Sequence, residues 1–456
     1  MSTKKFVTLK EAQALLKKAG TEFVVIQNPG FVHPSFELSP LAPKITETRP
    51  YLAAAVMDMD GTTTTTEEIC IHSLEYMVRK ITGLLNTEMW QGLDKKKDYP
   101  HIIGNSTTKH IEYLIKTYGD RIRRNCLIEW YLYASLWTLV FGKDENRKHE
   151  VVLNLMSFGI SDILEKNRFI QMRENPKTTN EELRSYTRGL AKIYSETMKV
   201  DSLNDYVRAG IDIYYQRYHE LLAAIAVGHV DDVLHGFHLP EGKHWIEPMP
   251  GIPIFLGLVK GFLGADAWHL AGRLISQYQE KDPSATFNVK DVELQLRKLG
   301  LFFEKTPLKI SIVTSSIFYE ADIVMSEVFK VFREEIQHWE IPVKRKKKIL
   351  NHFKHYKDVY NAFVTASDSN EIRLKPHRDL YSIALNHLNV PVTEFDKVIG
   401  FEDSESGTIA IRAAGIGTSV AVPFAHTAGH NLSAASHICP GGVAEVLLKH
   451  NLFLSI

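Results

Sequence analysis

The stretch YLAAAVMDMDGT, residues 51–62, joins a short apolar run to two carboxylates. An uncharged run that stops abruptly at Asp58 is typical of a strand buried on both faces, as in a parallel sheet. Two carboxylates this close at a strand end disfavour each other's ionisation, which a divalent cation with oxygen ligands relieves. The alternative is that Asp58 and Asp60 only cap the turn. An EF-hand loop is excluded, because Gly61 comes too early for its ligand spacing.

Further short apolar runs occupy residues 309–313, 362–364, 397–401 and 417–422, and helical patterns separate them. Strands that alternate with helices predict βαβ units and therefore a parallel sheet. Right-handed crossovers place the carboxyl ends of such strands along one edge, where ligands bind. We expect the polar residues at the ends of these runs to meet at that edge.

Two polar motifs suit an anion at this edge. Thr-Ser-Ser at 314–316 offers hydroxyl and N–H groups where a helix opens, although plain N-capping is the alternative. Lys375, fixed in direction by Pro376, could neutralise a phosphoryl group and a carboxylate together. The alternative is an ordinary surface lysine.

A second acidic pair, Glu402-Asp403, follows the run at 397–401. Together with Asp58 and Asp60 it would let two loops converge on one Mg²⁺. The alternative is that these acids occupy the first turn of the following helix, where the macrodipole favours them.

The order of these four motifs resembles the haloacid dehalogenase superfamily, and in detail its β-phosphoglucomutase-like phosphatase branch. Residues 401–407 with 411–416 are similar to that branch's final motif, 248–253 to its re-entry into the core, and 104–108 to its cap specificity loop. The resemblance implies an α/β fold, with a Rossmann-like parallel-sheet core and a large all-helical cap inserted after the first core strand.

The resemblance also implies roles for individual residues and Mg²⁺ as cofactor. Asp58 would be the nucleophile, Asp60 the acid and base, Thr314 a ligand of the phosphoryl group, and Lys375 its bridge to Asp58. The substrate- and phosphate-binding residues would be Gly61, Thr62, Ser315, Ser316, Thr107, Thr108 and Lys109. The metal ligands would be Asp58, Asp60 (through its backbone carbonyl), Asp403 and Glu402.

The chain divides into three parts on this reading. Residues 1–50 are predicted to be an N-terminal extension that packs on the core. A helix is expected over 8–19, with Thr8 as a possible N-cap, and a proline-rich extended leader follows it. Residues 51–66 and 246–456 form the core, with a helical insertion near 262–308. Residues 67–245 read as helical throughout and form the cap, which includes extra chain from about residue 120 onward. That extra chain could form a homo-oligomer interface.

The amino-acid composition gives no reason to expect a nucleic-acid or membrane partner. The sequence holds 54 Lys+Arg and 54 Asp+Glu, so no net charge attracts it to nucleic acid or an anionic membrane. No signal-type or membrane-spanning stretch is evident. Three widely spaced cysteines fit a reducing compartment, and we expect a cytoplasmic protein.

The function implied is a Mg²⁺-dependent phosphoric monoester hydrolase that acts on a small phosphorylated metabolite through an aspartyl phosphate. Asp60 speaks against a dehalogenase or phosphonatase, which lack an acid there. A sugar phosphomutase is the alternative, although the loop at 104–108 carries no Arg and Cys70, not His72, stands where mutases have a cap histidine. The remaining alternative is a non-catalytic binding or scaffold protein.

Overall fold

The structure is a computed structural model that describes residues 6–28, 32–86, 88–102, 107–230, 243–424, 427, 429–450 and 452–453. The strands, numbered along the chain, are β1 (Phe23–Gln27), β2 (Phe36–Pro40), β3 (Ala54–Asp58), β4 (Thr64–Thr65), β5 (Glu247–Pro248), β6 (Lys309–Val313), β7 (Ala362–Val364), β8 (Val398–Glu402), β9 (Thr418–Ala421) and β10 (His437–Ile438).

The α-helices are Leu9–Ala19, Glu67–Thr82, Tyr99–Ile102, Thr107–Tyr118, Arg124–Phe141, Glu145–Ser157, Asn167–Glu174, Asn180–Tyr194, Leu203–Val227, Ile252–Val259, Ala271–Gln279, Val289–Lys305, Phe318–Gln337, Val343–His352, Asp379–His387, Glu405–Ala413 and Gly442–Lys449. Short 3₁₀ helices span Gly119–Arg121, Ser161–Glu165, Gly264–Leu270, Tyr356–Asp358, Ala366–Asp368, Glu371–Arg373, Val392–Lys397 and Leu432–Ala434.

A six-stranded sheet has the order β10-β9-β8-β3-β6-β7, and every neighbouring pair in it is parallel. All residues of β3 are buried, as an apolar run between two helical layers requires. The predicted fold class, an α/β protein with a parallel sheet and many helices, is confirmed.

The register of the three central strands positions the site. β3 lies between β6 and β8, with Asp58 opposite Val313 and Met57 opposite Phe401. The residues that follow on the two flanking strands, Thr314 and Glu402, therefore emerge beside Asp58 at the carboxyl edge of the sheet.

The chain divides into two compact units, Met1–Thr65 with Ile246–Ile456, and Thr66–Trp245. All the secondary-structure elements that the structure describes within Thr66–Trp245 are helices. In the first unit, the elements Gly264–Leu270, Ala271–Gln279 and Val289–Lys305 form the helical segment that follows Gly261. An oligomer interface on the helical unit and a cytoplasmic location stay predictions.

The N-terminal segment contains the predicted helix, Leu9–Ala19 with Thr8 as its N-cap, and a hairpin that was not predicted. Strands β1 and β2 pair antiparallel as a hairpin, with Phe23 opposite Pro40 and Gln27 opposite Phe36. The β-branched run at 23–27 is the signal for the first strand. The proline-rich stretch was predicted to be extended, as its strand Phe36–Pro40 is, but the pairing of that strand with Phe23–Gln27 was not predicted.

Arg412 joins this N-terminal segment to the core. Its side chain is 1% exposed, and its Nε donates to the carbonyl of Ala42 at 2.9 Å. Nη1 donates to the carbonyl of Ala434 at 3.1 Å, and Nη2 pairs with Glu22, whose carboxyl pKa this guanidinium lowers. Farther along, the N–H of Ile45 donates to the carbonyl of Gly417 at 3.0 Å.

None of the helices in the described part of the chain is both long and apolar enough to cross a membrane. The three cysteines, Cys70, Cys126 and Cys439, are free thiols.

Arg412→Met should destabilise the protein by about 3 kcal/mol, because it leaves buried carbonyl groups without their donor. Urea unfolding followed by circular dichroism measures this change. The matched control is Arg49→Met, whose 3.5 Å pair with Asp396 is at the surface, with side chains 33% and 48% exposed. The control should lose less than about 1 kcal/mol. Equal losses in the two variants would contradict a structural role for Arg412.

Candidate active site

Lys375 lies at the centre of the carboxyl edge of the sheet. Its ammonium group pairs with Oδ1 of Asp58, and lies 2.6 Å from Oε1 of Glu402 and 3.1 Å from the carbonyl oxygen of Val313. The side chain of Lys375 is only 7% exposed. The alternative of an ordinary surface lysine is therefore wrong. One buried cation instead joins the ends of β3, β6 and β8.

The charges in this cluster shift each other's ionisation. Burial alone would lower the pKa of Lys375, but Asp58 and Glu402 outweigh burial and raise it, so the ammonium stays charged. The pKa of Asp58 is raised, first by burial and then by Glu402, against the opposing effect of Lys375. A single ammonium therefore does not neutralise the carboxylates around it, and Asp58 needs further positive charge to ionise readily.

Asp58, Glu402 and Asp403 each bring a carboxylate oxygen within 4.8 Å of the others, and all three residues are buried. Hard oxygen donors in a pocket with excess negative charge fit Mg²⁺. Asp403 lies against the hydroxyl of Thr62, whose Oγ1 is 3.5 Å from its Oδ1. Glu402 and Asp403 do not occupy the first turn of the following helix, which begins at Glu405. Its N-cap is Ser404, whose hydroxyl accepts from the N–H of Gly407 at 3.1 Å.

Asp60 is held by the Thr-Ser-Ser motif. The hydroxyls of Thr314 and Ser316 donate to its Oδ2 at 3.0 and 3.2 Å. Plain N-capping by Thr314 is not observed, because the following helix begins after Ile317 with no side-chain cap bond. Ser315 is exposed. The side chain of Asp60 thus faces hydroxyl donors, whereas that of Asp58 faces an ammonium, so the two carboxylates have different environments.

Two glycines make room for the acidic groups. Gly61 has φ +79°, and a Cβ there would lie 2.6 Å from Oδ2 of Asp403. Its N–H donates to the carbonyl of Thr64 at 2.8 Å, so it closes the turn after β3. A Cβ at Gly407 would lie 1.8 Å from the carboxyl carbon of Glu402. Both positions therefore require glycine, one for its backbone angle and both for space.

The residues predicted from the cap loop lie in the helical unit. Thr107, Thr108 and Lys109 form the first turn of the helix Thr107–Tyr118, and Thr107 lies 3.4 Å from the hydroxyl of Tyr215. Residues 103–106 of the predicted loop lie outside the described residues. The structure describes these three residues within their own unit, and their role in substrate binding stays a prediction.

The helical unit contains a cavity of about 150 Å³ lined in part by Glu68, His72, Glu75 and Trp245. Burial, and next the guanidinium of Arg217, lower the pKa of His72 to about 4, so this ring is neutral at pH 7. His72 is the histidine that sequence analysis found displaced from the mutase pattern. It therefore offers a neutral polar group, not a cation, to this cavity.

Tyr381 was not singled out as a site residue. It is fully buried on the helix Asp379–His387, and its hydroxyl donates to Oε1 of Glu402 at 3.0 Å. Burial, and next Glu402, raise its pKa, so the hydroxyl remains a donor. The sequence offered one indication that Tyr381 lies near the site. It follows Lys375 by six residues, on the helix that begins directly after the loop carrying Lys375.

If Asp58 and Asp403 hold a divalent cation, 10 mM Mg²⁺ should raise the melting temperature relative to K⁺ at equal ionic strength, by on the order of 2–5 °C. Asp403→Asn should abolish the shift because it removes a charged ligand. The control is Asp266→Asn, which changes an acid that pairs with Arg345 in the same unit and should leave the shift intact. A shift that survives in Asp403→Asn would count against this cation site.

No protein-family model matches the sequence, and a search of curated proteins finds no match. Among solved structures, the chain is similar to CbbY from Rhodobacter sphaeroides in complex with phosphate, at 13% identity and a TM-score of 0.40, over 87% of this chain and 96% of that one. It is also similar to a β-phosphoglucomutase from Clostridium difficile, at 12% identity and a TM-score of 0.33, over 85% and 90% of the two chains.

Four motifs, in the order Asp58-x-Asp60, Thr314, Lys375 and Glu402-Asp403, meet at the carboxyl edge of one parallel sheet. A helical unit interrupts the chain after the first motif. The sheet, the motif order and the interruption are the arrangement that the resemblance to the haloacid dehalogenase superfamily predicted.

Proposed function

We propose that the chain is a Mg²⁺-dependent phosphoric monoester hydrolase that acts on a small phosphorylated metabolite. The observation that carries the proposal is the pair of unlike carboxylates on one turn. Asp58 is held by the ammonium of Lys375, and Asp60 by the hydroxyls of Thr314 and Ser316. A nucleophile beside a cation and an acid–base group two residues away are what a two-step ester hydrolysis needs.

In the first step, a carboxylate oxygen of Asp58 attacks phosphorus, and the bond from phosphorus to the ester oxygen breaks. Asp60 gives its proton to the departing oxygen, which leaves as an alcohol. Lys375 balances negative charge on the phosphoryl oxygens while it stays within reach of Asp58. Phosphoryl transfer depends mainly on such positioning and charge compensation.

In the second step, Asp60, now ionised, takes a proton from a water molecule as the water oxygen attacks phosphorus. The bond between phosphorus and Asp58 breaks, inorganic phosphate leaves, and both carboxyl groups return to their starting states. The hydroxyls of Thr314 and Ser316 keep the Asp60 side chain in place in both roles. Two moderate barriers thus replace the single high barrier of direct hydrolysis.

Asp58 and Asp403, with Glu402 beside them, supply hard oxygen donors for Mg²⁺. When bound, Mg²⁺ supplies positive charge that favours ionised Asp58 and offsets charge on the phosphoryl group. This supports a metal requirement, because Lys375 alone leaves the acidic cluster with excess negative charge.

Asp58→Asn should lower phosphate release roughly 10³-fold or more, because the amide is a poor nucleophile. The melting temperature should stay close to that of the wild type, since the replacement is nearly isosteric. Asp291→Asn, on the exposed first turn of Val289–Lys305, is the matched control and should keep full activity. Appreciable residual turnover in Asp58→Asn would contradict the assigned nucleophile.

A release assay across a library of phosphate esters with Mg²⁺ tests the reaction class, and sugar phosphates are the first group to try. We expect net inorganic phosphate from at least one ester. Incubation with β-glucose 1-phosphate and its bisphosphate separates the phosphomutase alternative, which would form glucose 6-phosphate without net phosphate. A library without any turnover would instead favour a non-catalytic binding protein.

A further inference from the structure

Both oxygens of Glu402 are engaged by donors from the protein. Oε2 accepts from the N–H of Asp403 at 3.1 Å, and from the N–H and hydroxyl of Ser404 at 3.3 and 3.0 Å. Oε1 accepts from Lys375 at 2.6 Å and from Tyr381 at 3.0 Å. These five contacts engage both oxygens of the carboxylate and so fix its orientation.

The ammonium of Lys375 is fixed in the same way. Its contacts with Asp58, Glu402 and the carbonyl of Val313 match the three N–H donors of an ammonium group. Its position between the two carboxylates depends on the balance of their attraction. A second donor on Glu402 reduces the negative charge that this residue presents to Lys375, and so leaves the ammonium available to Asp58.

Tyr381 is that second donor, and it is placed rigidly. Its side chain is 0% exposed and belongs to the hydrophobic cluster that includes Val313, Leu380 and Ala384. A buried hydroxyl is retained in such surroundings only with a hydrogen-bond partner. Its ring centroid also lies 5.3 Å from Nζ of Lys375. The ring fills the core, and the hydroxyl reaches the charge cluster.

We propose that Tyr381 is a positioning residue for Lys375. Tyr381 acts through Oε1 of Glu402 and contacts neither substrate nor metal. The inference rests on the proposed function, because the position of Lys375 affects turnover only if Asp58 is the nucleophile. Without the hydroxyl, Glu402 attracts the ammonium more strongly and draws it away from Asp58. Ground-state binding of the substrate changes little, whereas the chemical step slows.

Tyr381→Phe tests this, because it removes the hydroxyl and keeps the ring. We expect kcat to fall about tenfold with KM within about twofold, as for the loss of one interaction that matters in the transition state. The matched control is Tyr356→Phe. Tyr356 is also fully buried in the first unit, but its hydroxyl donates to Asp322. The control should keep kcat within about twofold of the wild type.

A second readout does not depend on activity. In protein labelled with ¹⁵N at lysine side chains, the ammonium signal of Lys375, assigned by its loss in Lys375→Arg, should shift in Tyr381→Phe and stay unchanged in Tyr356→Phe. An unmoved signal overturns the proposal whatever happens to kcat, because it would mark a general packing role. If the wild type hydrolyses no ester, the proposed function fails while this measurement still decides the link from Tyr381 to Lys375.

If Tyr381→Phe does not fold, Glu402→Asp provides the test. The shorter carboxylate cannot reach both Lys375 and Tyr381, so the same ammonium signal should shift. A signal identical to that of the wild type would overturn the proposal.

Discussion

A single buried ammonium group, that of Lys375, sets the requirements for the rest of the site. Burying a cation is unfavourable unless acceptors surround it, and here two carboxylates and one carbonyl do so. Removing any one of them would leave an N–H donor of the buried ammonium without its acceptor. The geometry of the acidic edge is therefore constrained by this lysine.

The parallel sheet brings these acceptors together. Asp58 ends β3, Val313 ends β6 and Glu402 ends β8, and these are three adjacent strands. Parallel strands bring their carboxyl ends to one edge, so neighbouring ends present side chains and carbonyls to a common space. Lys375 alone comes from a loop, and the helix Asp379–His387 that follows it contributes the hydroxyl of Tyr381.

The sequence predicted what depends on local pattern. The apolar runs located β3, β6 and β8 to within three residues, and so placed Asp58, Thr314 and the acidic pair at strand ends. It could not reveal the burial of Lys375, because nothing in its own segment is apolar enough to indicate it; only the motif order did. The bond from Tyr381 to Glu402 depends on how a helix packs beside a strand, which local periodicity does not encode.

The N-terminal hairpin was missed for a different reason. Prolines argue against a central strand, yet they are tolerated in a two-stranded ribbon outside the main sheet. The anchoring of this segment to Arg412 includes two bonds to the backbone carbonyl of Ala42, and a backbone acceptor carries no sequence signature. Side-chain types at strand ends are therefore more predictable than contacts made by the main chain.

Strands β4 and β5 pair with each other, Thr64 opposite Pro248 and Thr65 opposite Glu247, although residues 66–246 lie between them in sequence. The ends of that long excursion are thus clamped side by side within the core unit. Once ends are fixed, doubling the length of chain between them costs only about 0.6 kcal/mol in closure entropy. The helical excursion can therefore be long with little thermodynamic consequence for the sheet whose edge carries Asp58 and Lys375.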